Sequence, residues 1–146
     1  MPGSVEGIAI TREESTLPQP VEEIEVTEAG VIGDRHREKR DITLIEAEAL
    51  EAFTAETGIE LSHPESRRQV LTRGIRLNDL VGERFTVGEV EVVGRELCEP
   101  CNHLQSLTRQ GVLRGMVHRA GLNADVVRGG RIAVGDRVSS EAWQSS

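Results

Sequence analysis

Short apolar segments punctuated by glycine are the feature of this sequence that most limits the folds open to it. Glu23–Thr27 alternates apolar and polar residues with the period of two expected of a half-buried strand. Residues 84–87 and 90–93 flank Gly88 and Glu89, a two-residue connection typical of a β-hairpin. Many short strands of this kind, joined by glycine turns, favour a closed or semi-closed antiparallel β-barrel.

A few helical segments interrupt this β pattern. Residues 46–53 are rich in Ala, Leu and Glu, which are strong helix formers, and Gly58 is placed to end the helix. Shorter helices are predicted around residues 62–65 and over residues 112–120. A chain of 146 residues is long enough for one domain with its own core. We therefore expect a single, mainly β domain with a few short helices over residues 1–146.

Composition argues against several classes of function. Only Phe53, Phe85 and Trp143 are aromatic, so the core must rest on Val, Ile and Leu, and the aromatic faces that single-stranded nucleic acids stack on are scarce. A net charge of −8 also disfavours nucleic-acid binding. No run approaches the about 20 apolar residues of a membrane helix, and the first residues do not resemble a signal peptide. We expect a cytoplasmic protein that binds neither nucleic acid nor membranes.

Three basic segments interrupt this acidic chain. Residues 35–40 hold four cations, residues 66–76 hold four arginines and no acid, and residues 102–119 hold three arginines and no acid. The planar guanidinium of arginine can bind phosphate through two parallel hydrogen bonds. The segments therefore either converge on one anionic ligand or form ordinary solvated surface.

The pair Cys98 and Cys101 has the clearest capacity for chemistry. A redox couple of this spacing normally belongs to a thioredoxin-like βαβ unit, which the pattern does not predict. A zinc site would need further ligands, for which His103 and His118 are candidates. The remaining functional interpretation is a single reactive thiolate, Cys101, whose pKa nearby cations such as Arg95 would lower. Burial of both thiols as small apolar groups stays open.

Six segments, in order along the chain, carry a family pattern. They are GDRH at 33–36, RRQVLTRGI at 67–75, LVGERF at 80–85, PCNHL at 100–104, GLNADV at 121–126 and GGRIAVGD at 129–136. Their order and spacing over about residues 5–138 resemble the MOSC domain family, named for the C-terminal domain of molybdenum cofactor sulfurases. The resemblance implies a β-barrel with short helices, similar to the barrel domain of pyruvate kinase.

The resemblance also implies a chemistry. Members of the family handle molybdenum cofactor or sulfur, and some reduce N-hydroxylated substrates. The position that matches Cys101 is the family's metal- or sulfur-binding cysteine, and a soft thiolate suits molybdenum or a persulfide. The pterin of the cofactor carries a phosphate that arginines can hold. The candidate cofactor-binding residues are Arg67, Arg68, Arg73, His36, Lys39 and Asn102.

Two functional hypotheses follow from the resemblance. In the first, a stand-alone MOSC protein binds molybdenum cofactor through Cys101 and reduces an N-hydroxylated substrate. Its electrons would come from a separate reductase, since the sequence shows no flavin or iron–sulfur motif. In the second, the domain is a non-catalytic carrier of a persulfide or of the cofactor, with a cysteine desulfurase as an expected partner.

Three further residues have structural interpretations. Gly33 and Asp34 are interpreted as turn residues, because glycine adopts positive φ and aspartate stabilises its own turn. His63 is interpreted as a surface or helix-end residue. Gln69 departs from the family, in which Asn is frequent at this position.

Overall fold

Within the described residues, seven strands close into a β-barrel. The computed structural model describes residues 3–11, 18–34, 41–58, 60, 62–66, 68–97 and 121–140. The strands are β1 (Gly3–Ile10), β2 (Gln19–Val21), β3 (Glu23–Thr27), β4 (Gly30–Val31), β5 (Asp41–Glu46), β6 (Val70–Arg73), β7 (Arg84–Val87), β8 (Val90–Leu97), β9 (Leu122–Arg128), β10 (Gly130–Ala133) and β11 (Arg137–Ser140). The barrel order is β11-β7-β8-β9-β5-β6-β1, and β1 pairs back onto β11 with Gly3 opposite Val138. The predicted closed barrel is confirmed.

One pairing of the barrel is parallel rather than antiparallel. β5 and β6 run in the same direction, with Leu44 opposite Val70 and Glu46 opposite Thr72. Parallel neighbours need a crossover connection, and the chain makes it through α1 (Ala47–Thr57) and α2 (His63–Ser66). The barrel is therefore mixed, which the expectation of antiparallel strands did not include.

Both helices of this crossover match the sequence prediction. α1 is followed by Gly58, whose φ of 74° is left-handed and whose N–H donates to the Thr54 carbonyl at 2.8 Å. Phe53 is fully buried on α1, which contacts β5 and β6. A 3₁₀ helix, Leu77–Leu80, follows β6. Among the described segments, no helix is both long and apolar enough to cross a lipid bilayer. The predicted helix over residues 112–120 lies outside the described residues.

Apolar side chains occupy the inner positions of the barrel. The buried cluster is built from Val, Ile and Leu, as predicted, with Phe85 as its aromatic member. A second sheet, in the order β10-β3-β4, adds Ile24, Val26, Val31 and Ile132 to the same cluster. Burial of each such side chain contributes about 1.5–3 kcal/mol to folding. Because apolar groups line the interior, a polar ligand fits the rim or the outer wall of the barrel better than its centre.

Candidate functional site

The segments that carry the predicted site residues all adjoin four neighbouring strands. β8, β9, β5 and β6 are consecutive in the barrel, and we refer to them as the site wall. Residues 35–40 precede β5, Arg67 and Arg68 precede β6, and residues 98–120 connect β8 to β9. The remaining barrel strands, β7, β11 and β1, adjoin none of these three segments. Val70, Leu44, Leu122 and Leu97 lie level across the four strands, so β6 and β9 begin, and β8 ends, in one row. The chain enters β5 and β6 from the Asp41 side of this row, whereas it leaves β8 and enters β9 on the Glu46 side.

A single row of residues crosses the site wall. Gln69 lies beside Thr43, Thr43 is opposite Asn123, and Asn123 is opposite Glu96. Neighbouring strands lie about 4.8 Å apart, so Gln69 and Asn123 are separated by roughly 10 Å along the sheet. Thr43, Gln69 and Asn123 are half-buried, whereas the residues that follow Thr43 and Gln69, Leu44 and Val70, are fully buried. The row is thus a polar strip beside the core.

Gln69, directly before β6, is linked to both β5 and β1. Its N–H donates to Thr43 Oγ1 at 2.9 Å and faces the Thr43 carbonyl at 3.1 Å. Its side-chain Oε1 accepts from the Thr43 N–H at 3.0 Å, and its carbonyl accepts from the Ala9 N–H at 2.8 Å. The side-chain amide of Gln69 therefore makes a contact that links β5 to the start of β6.

The backbone of Arg68 is held on both sides by α2. Its N–H donates to Ser66 Oγ at 3.3 Å, and its carbonyl accepts from His63 Nε2 at 2.8 Å. Ser66 Oγ in turn donates to the His63 carbonyl. A carbonyl only accepts, so Nε2 carries the proton in the neutral imidazole. These contacts fix the direction in which the Arg68 side chain leaves the backbone.

The protonation of the half-buried His63 side chain depends on its hydrogen bonds to the backbone of Arg68 and Gln69. Burial lowers the pKa of His63 below its ordinary value, and hydrogen bonds to the backbone of Arg68 and Gln69 offset only part of that effect. A Cβ added at Gly7 would approach His63 Nδ1 to 3.2 Å, which shows how closely β1 packs on the ring. The helix-end interpretation of His63 is confirmed, and the side chain is half-buried.

Asp34 anchors the segment that leads toward β5. Its carboxylate Oδ2 accepts from the Thr11 N–H at 3.2 Å, and the side chain is almost fully buried. Gly33, with a φ of 91°, supplies the left-handed turn before it. The turn interpretation is confirmed for Gly33, and the Asp34 carboxylate adds an anchor on Thr11, directly after β1.

Arg95 bridges the site wall from the strand that leads to Cys98. Its guanidinium contacts Asp41 on β5 at 2.8 Å and Asp125 on β9 at 2.9 Å. Desolvation would lower the pKa of Arg95, but attraction to Asp125 and Asp41 outweighs it, so the pKa is raised. Two carboxylates compensate this charge, so Arg95 is a weaker candidate for lowering the pKa of Cys101 than its position in the sequence implied.

The family assignment follows from the sequence profile of the MOSC domain, which matches residues 31–139. The chain belongs to the MOSC domain family. The predicted resemblance is confirmed, and the profile spans the whole site wall from β5 to β9.

Solved MOSC-like structures share the fold. The YuaD protein from Bacillus subtilis is 18% identical, with a TM-score of 0.80 over 94% of each chain. YiiM from Geobacillus stearothermophilus is 14% identical, with a TM-score of 0.76 over 95% of this chain and 75% of that one. YiiM from Escherichia coli is 17% identical, with a TM-score of 0.69 over 96% and 69%. At these identities the similarity establishes the fold alone. No curated protein matches the sequence significantly.

Of the residues that the MOSC resemblance singled out, Arg68 and Arg73 are described. Arg68 lies two residues before β6, and Arg73 is the last residue of β6. The Arg73 guanidinium donates to Glu6 Oε2 at 3.1 Å and to Glu51 Oε1 at 3.2 Å. Hydrogen bonds to Glu51 and Glu6 raise the pKa of Arg73, and the same contact lowers the pKa of Glu51. An anion at Arg73 would have to compete with two carboxylates, whereas Arg68 lies beside the polar row.

The other predicted site residues lie outside the described residues. They are Cys101, Arg67, His36, Lys39 and Asn102, together with Cys98, His103 and His118 of the redox and zinc interpretations. Within the described part of the chain, no three His, Cys, Asp or Glu side chains are grouped as metal ligands.

Sequence reasoning did not identify the residues that support the site. The Asp34 carboxylate contacts a residue 23 positions away, and Thr43 contacts a residue 26 positions away. Ser66 acts through a contact within the short helix α2. The departure at Gln69 was the one available signal, because a family position that favours a side-chain amide marks a specific hydrogen bond.

Proposed function

We propose that this MOSC protein binds molybdenum cofactor at the site wall, with the Cys101 thiolate as metal ligand and Arg67 and Arg68 on the phosphate. The observation that carries the proposal is that all three candidate segments attach to four consecutive strands, with the start of β6, the end of β8 and the start of β9 level with one another. Arg68 lies just before β6, and hydrogen bonds from α2 hold both its N–H and its carbonyl. Arg73 is not part of the proposed site, since Glu6 and Glu51 already bind it.

The described residues fit a phosphate-bearing ligand on this wall. An arginine whose backbone is already fixed loses less freedom on binding than a mobile one, so more of the interaction appears as affinity. His36 is two residues from the anchored Asp34, and Lys39 is two residues from Asp41, which Arg95 holds. Both residues are therefore close, along the chain, to a contact that the structure describes.

The proposed activity is reduction of an N-hydroxylated substrate. Bound cofactor would supply a metal that changes oxidation state, with Cys101 as a soft ligand. Cleavage of the N–O bond consumes a pair of electrons and a pair of protons and releases water, so an electron-transfer reductase is the proposed partner. The arginines would hold the cofactor's phosphate, which orients the metal relative to the cysteine.

Metal and pterin content tests the binding step. Protein from a host that makes molybdenum cofactor is compared with Cys101→Ser, Arg68→Ala and, as a control, Arg76→Ala. Arg76 belongs to the same basic segment, but its side chain is 85% exposed and contacts Asp79 at 3.6 Å. We expect molybdenum and pterin in the native protein and the control, loss of molybdenum in Cys101→Ser, and roughly tenfold less pterin in Arg68→Ala.

Two results would contradict the proposal. Retention of molybdenum and pterin by Cys101→Ser would remove the cysteine from the site. A native protein without either component, but with transferable sulfur on Cys101, would instead support the carrier hypothesis and a cysteine desulfurase as partner.

A further inference from the structure

We propose that Gln69 is a positioning residue that holds Arg68 in the orientation required to bind the phosphate of the ligand. This inference rests on the proposed function and adds to it the residue that orients the anion site. Gln69 does not contact the ligand in this proposal. Its role is to fix the backbone from which the Arg68 side chain extends.

The first argument is the number of contacts that converge on Gln69. Its N–H, its carbonyl and its side-chain Oε1 are all engaged, with Thr43 on one side and Ala9 on the other. The regular β5–β6 ladder pairs Leu44 with Val70. The Gln69 side chain therefore adds one further link ahead of that ladder, directly next to Arg68.

The second argument is that the contacts on the other side of Arg68 come from a different element. His63 and Ser66 hold the Arg68 carbonyl and N–H from α2. Thr43 holds Gln69 from β5. Arg68 is thus the point where the crossover joins the barrel, and its orientation depends on both attachments. Binding sites must be held to within about 0.5 Å and 10–20° of the productive geometry, so release of either attachment is enough to weaken an anion site.

The neutral amide of Gln69 also suits a position next to an anion site. The Thr43 N–H needs an acceptor, which a glutamine and a glutamate would both provide. A glutamate would also place a negative charge one residue from Arg68 and repel the phosphate. A neutral amide provides the acceptor without that charge. The side chain at this position therefore suits an anion site better than an acid of the same length.

The test measures phosphate binding by the full chain. Inorganic phosphate is titrated while the Nε–Hε signal of Arg68 is followed by NMR, in the native protein, Arg68→Ala, Gln69→Leu and Gln69→Glu. Overall affinity in the variant without the Arg68 signal is taken from ³¹P line broadening. We expect Arg68→Ala and Gln69→Leu each to weaken binding by about tenfold, as for loss of a hydrogen bond with its geometry. Gln69→Glu should weaken binding with a stronger dependence on salt.

A second pair of variants covers the case in which Gln69→Leu does not fold. Thr43→Val removes the Oγ1 acceptor of the Gln69 N–H and should weaken phosphate binding by about threefold, and Thr43→Ser should restore it. The matched control is Thr86→Val on β7, which loses a comparable contact between Thr86 Oγ1 and Ser139 on β11. Thr86→Val should leave phosphate affinity unchanged.

The outcomes separate this inference from the proposed function. Native affinity in Gln69→Leu and Thr43→Val, with affinity lost in Arg68→Ala, overturns the positioning role and leaves the anion site intact. Native affinity in Arg68→Ala overturns the anion site, and the positioning role with it. Equal weakening in Thr43→Val and Thr86→Val would show that the effect follows stability rather than orientation.

Discussion

The chain carries one arginine just before β6 and another at its end, and the two are held in opposite ways. Before β6, neutral groups of His63, Ser66 and Thr43 fix the backbone at Arg68 and Gln69. At the end, two carboxylates, those of Glu6 and Glu51, bind the guanidinium of Arg73 itself. In the proposed function, the fixed backbone at Arg68 orients its side chain for a ligand, whereas the ion pairs of Arg73 use its charge for the fold.

Carboxylates also fix the backbone beyond the Arg73 end. The N–H groups of Gly74 and Leu77 donate to Glu48 and Glu46 at 2.7 and 3.1 Å. Burial raises the pKa of Glu46, and the hydrogen bond from Leu77 opposes that shift. This end is therefore acidic and structural, which makes it a poor place for a phosphate.

The largest expected effect is a loss of stability when the close backbone packing between β9 and β5 is disrupted. Gly121, at the start of β9, has a φ of 110°, and an added Cβ would overlap the carbonyl of Leu44, which pairs with Val70. We expect Gly121→Ala to lower the free energy of unfolding by about 3 kcal/mol or more. Chemical denaturation measures it.

Gly82→Ala is the control for this change. Gly82 also has a positive φ, of 80°, but nothing lies within 4 Å of the position of an added Cβ. The expected loss is about 1 kcal/mol. Equal losses in the two variants would mean that the backbone angle, and not the close packing against Leu44, sets the requirement for glycine.

The second prediction distinguishes Arg68 from Arg73 by the effect of each on phosphate affinity. Arg68→Ala should reduce phosphate affinity by about tenfold, as for loss of a charge-assisted hydrogen bond. Arg73→Met, in contrast, should change thermal stability and leave phosphate affinity at the native value. Isothermal titration with inorganic phosphate gives both numbers, and a loss of affinity in Arg73→Met would reverse the comparison.

The third prediction concerns the loss of stability at low pH. The pKa of His63 is lower in the folded than in the unfolded protein, so the unfolded state binds the proton first as the pH falls. Stability from neutral His63 is complete above its unfolded pKa of 6.5 and is lost as the pH falls from there toward the folded-state pKa. His63→Gln keeps a side-chain N–H donor but does not titrate. Denaturation at a series of pH values should therefore show a shallower acid slope in this variant, and an unchanged slope would remove His63 as the cause.

The smallest expected effect is at the Arg73 end. Glu51→Gln removes one carboxylate from Arg73, and since both side chains are exposed the loss of stability should be slight and should vanish at high salt. Thermal unfolding at low and high salt measures it. A loss that persists at high salt would show that packing of the Arg73 stem, rather than charge, holds this end.

Local patterns were sufficient to predict much of the fold. The alternation in Glu23–Thr27, the β7–β8 hairpin and α1 with its glycine end depend on neighbouring residues, and all three are present. The parallel β5–β6 pair was not predicted, because it joins strands across a crossover of more than twenty residues that leaves no periodic signal.

The candidate site was predictable only in part, for the same reason. The family segment contains both Arg68 and Arg73 and does not rank them as anion ligands. Arg73 contacts Glu6 and Glu51, which are distant in sequence, so these contacts could not be predicted from the segment. Gln69 was noticed because it departs from a family preference. Its partner Thr43 carried no such mark, since a threonine in a strand is ordinary.

The closure of the barrel also has a consequence for how the chain folds. The pairing of Gly3 with Val138 joins the first described strand to the last. A chain emerging from the ribosome therefore leaves Gly3 and Ser4 of β1 without their partners until β11 has been made, whereas Ile8–Ile10 pair with β2, which is made early. Long-range pairings of this kind form late and slowly. During that interval only the first residues of β1 present an unpaired edge to other chains, which limits the strand that an aggregate could extend.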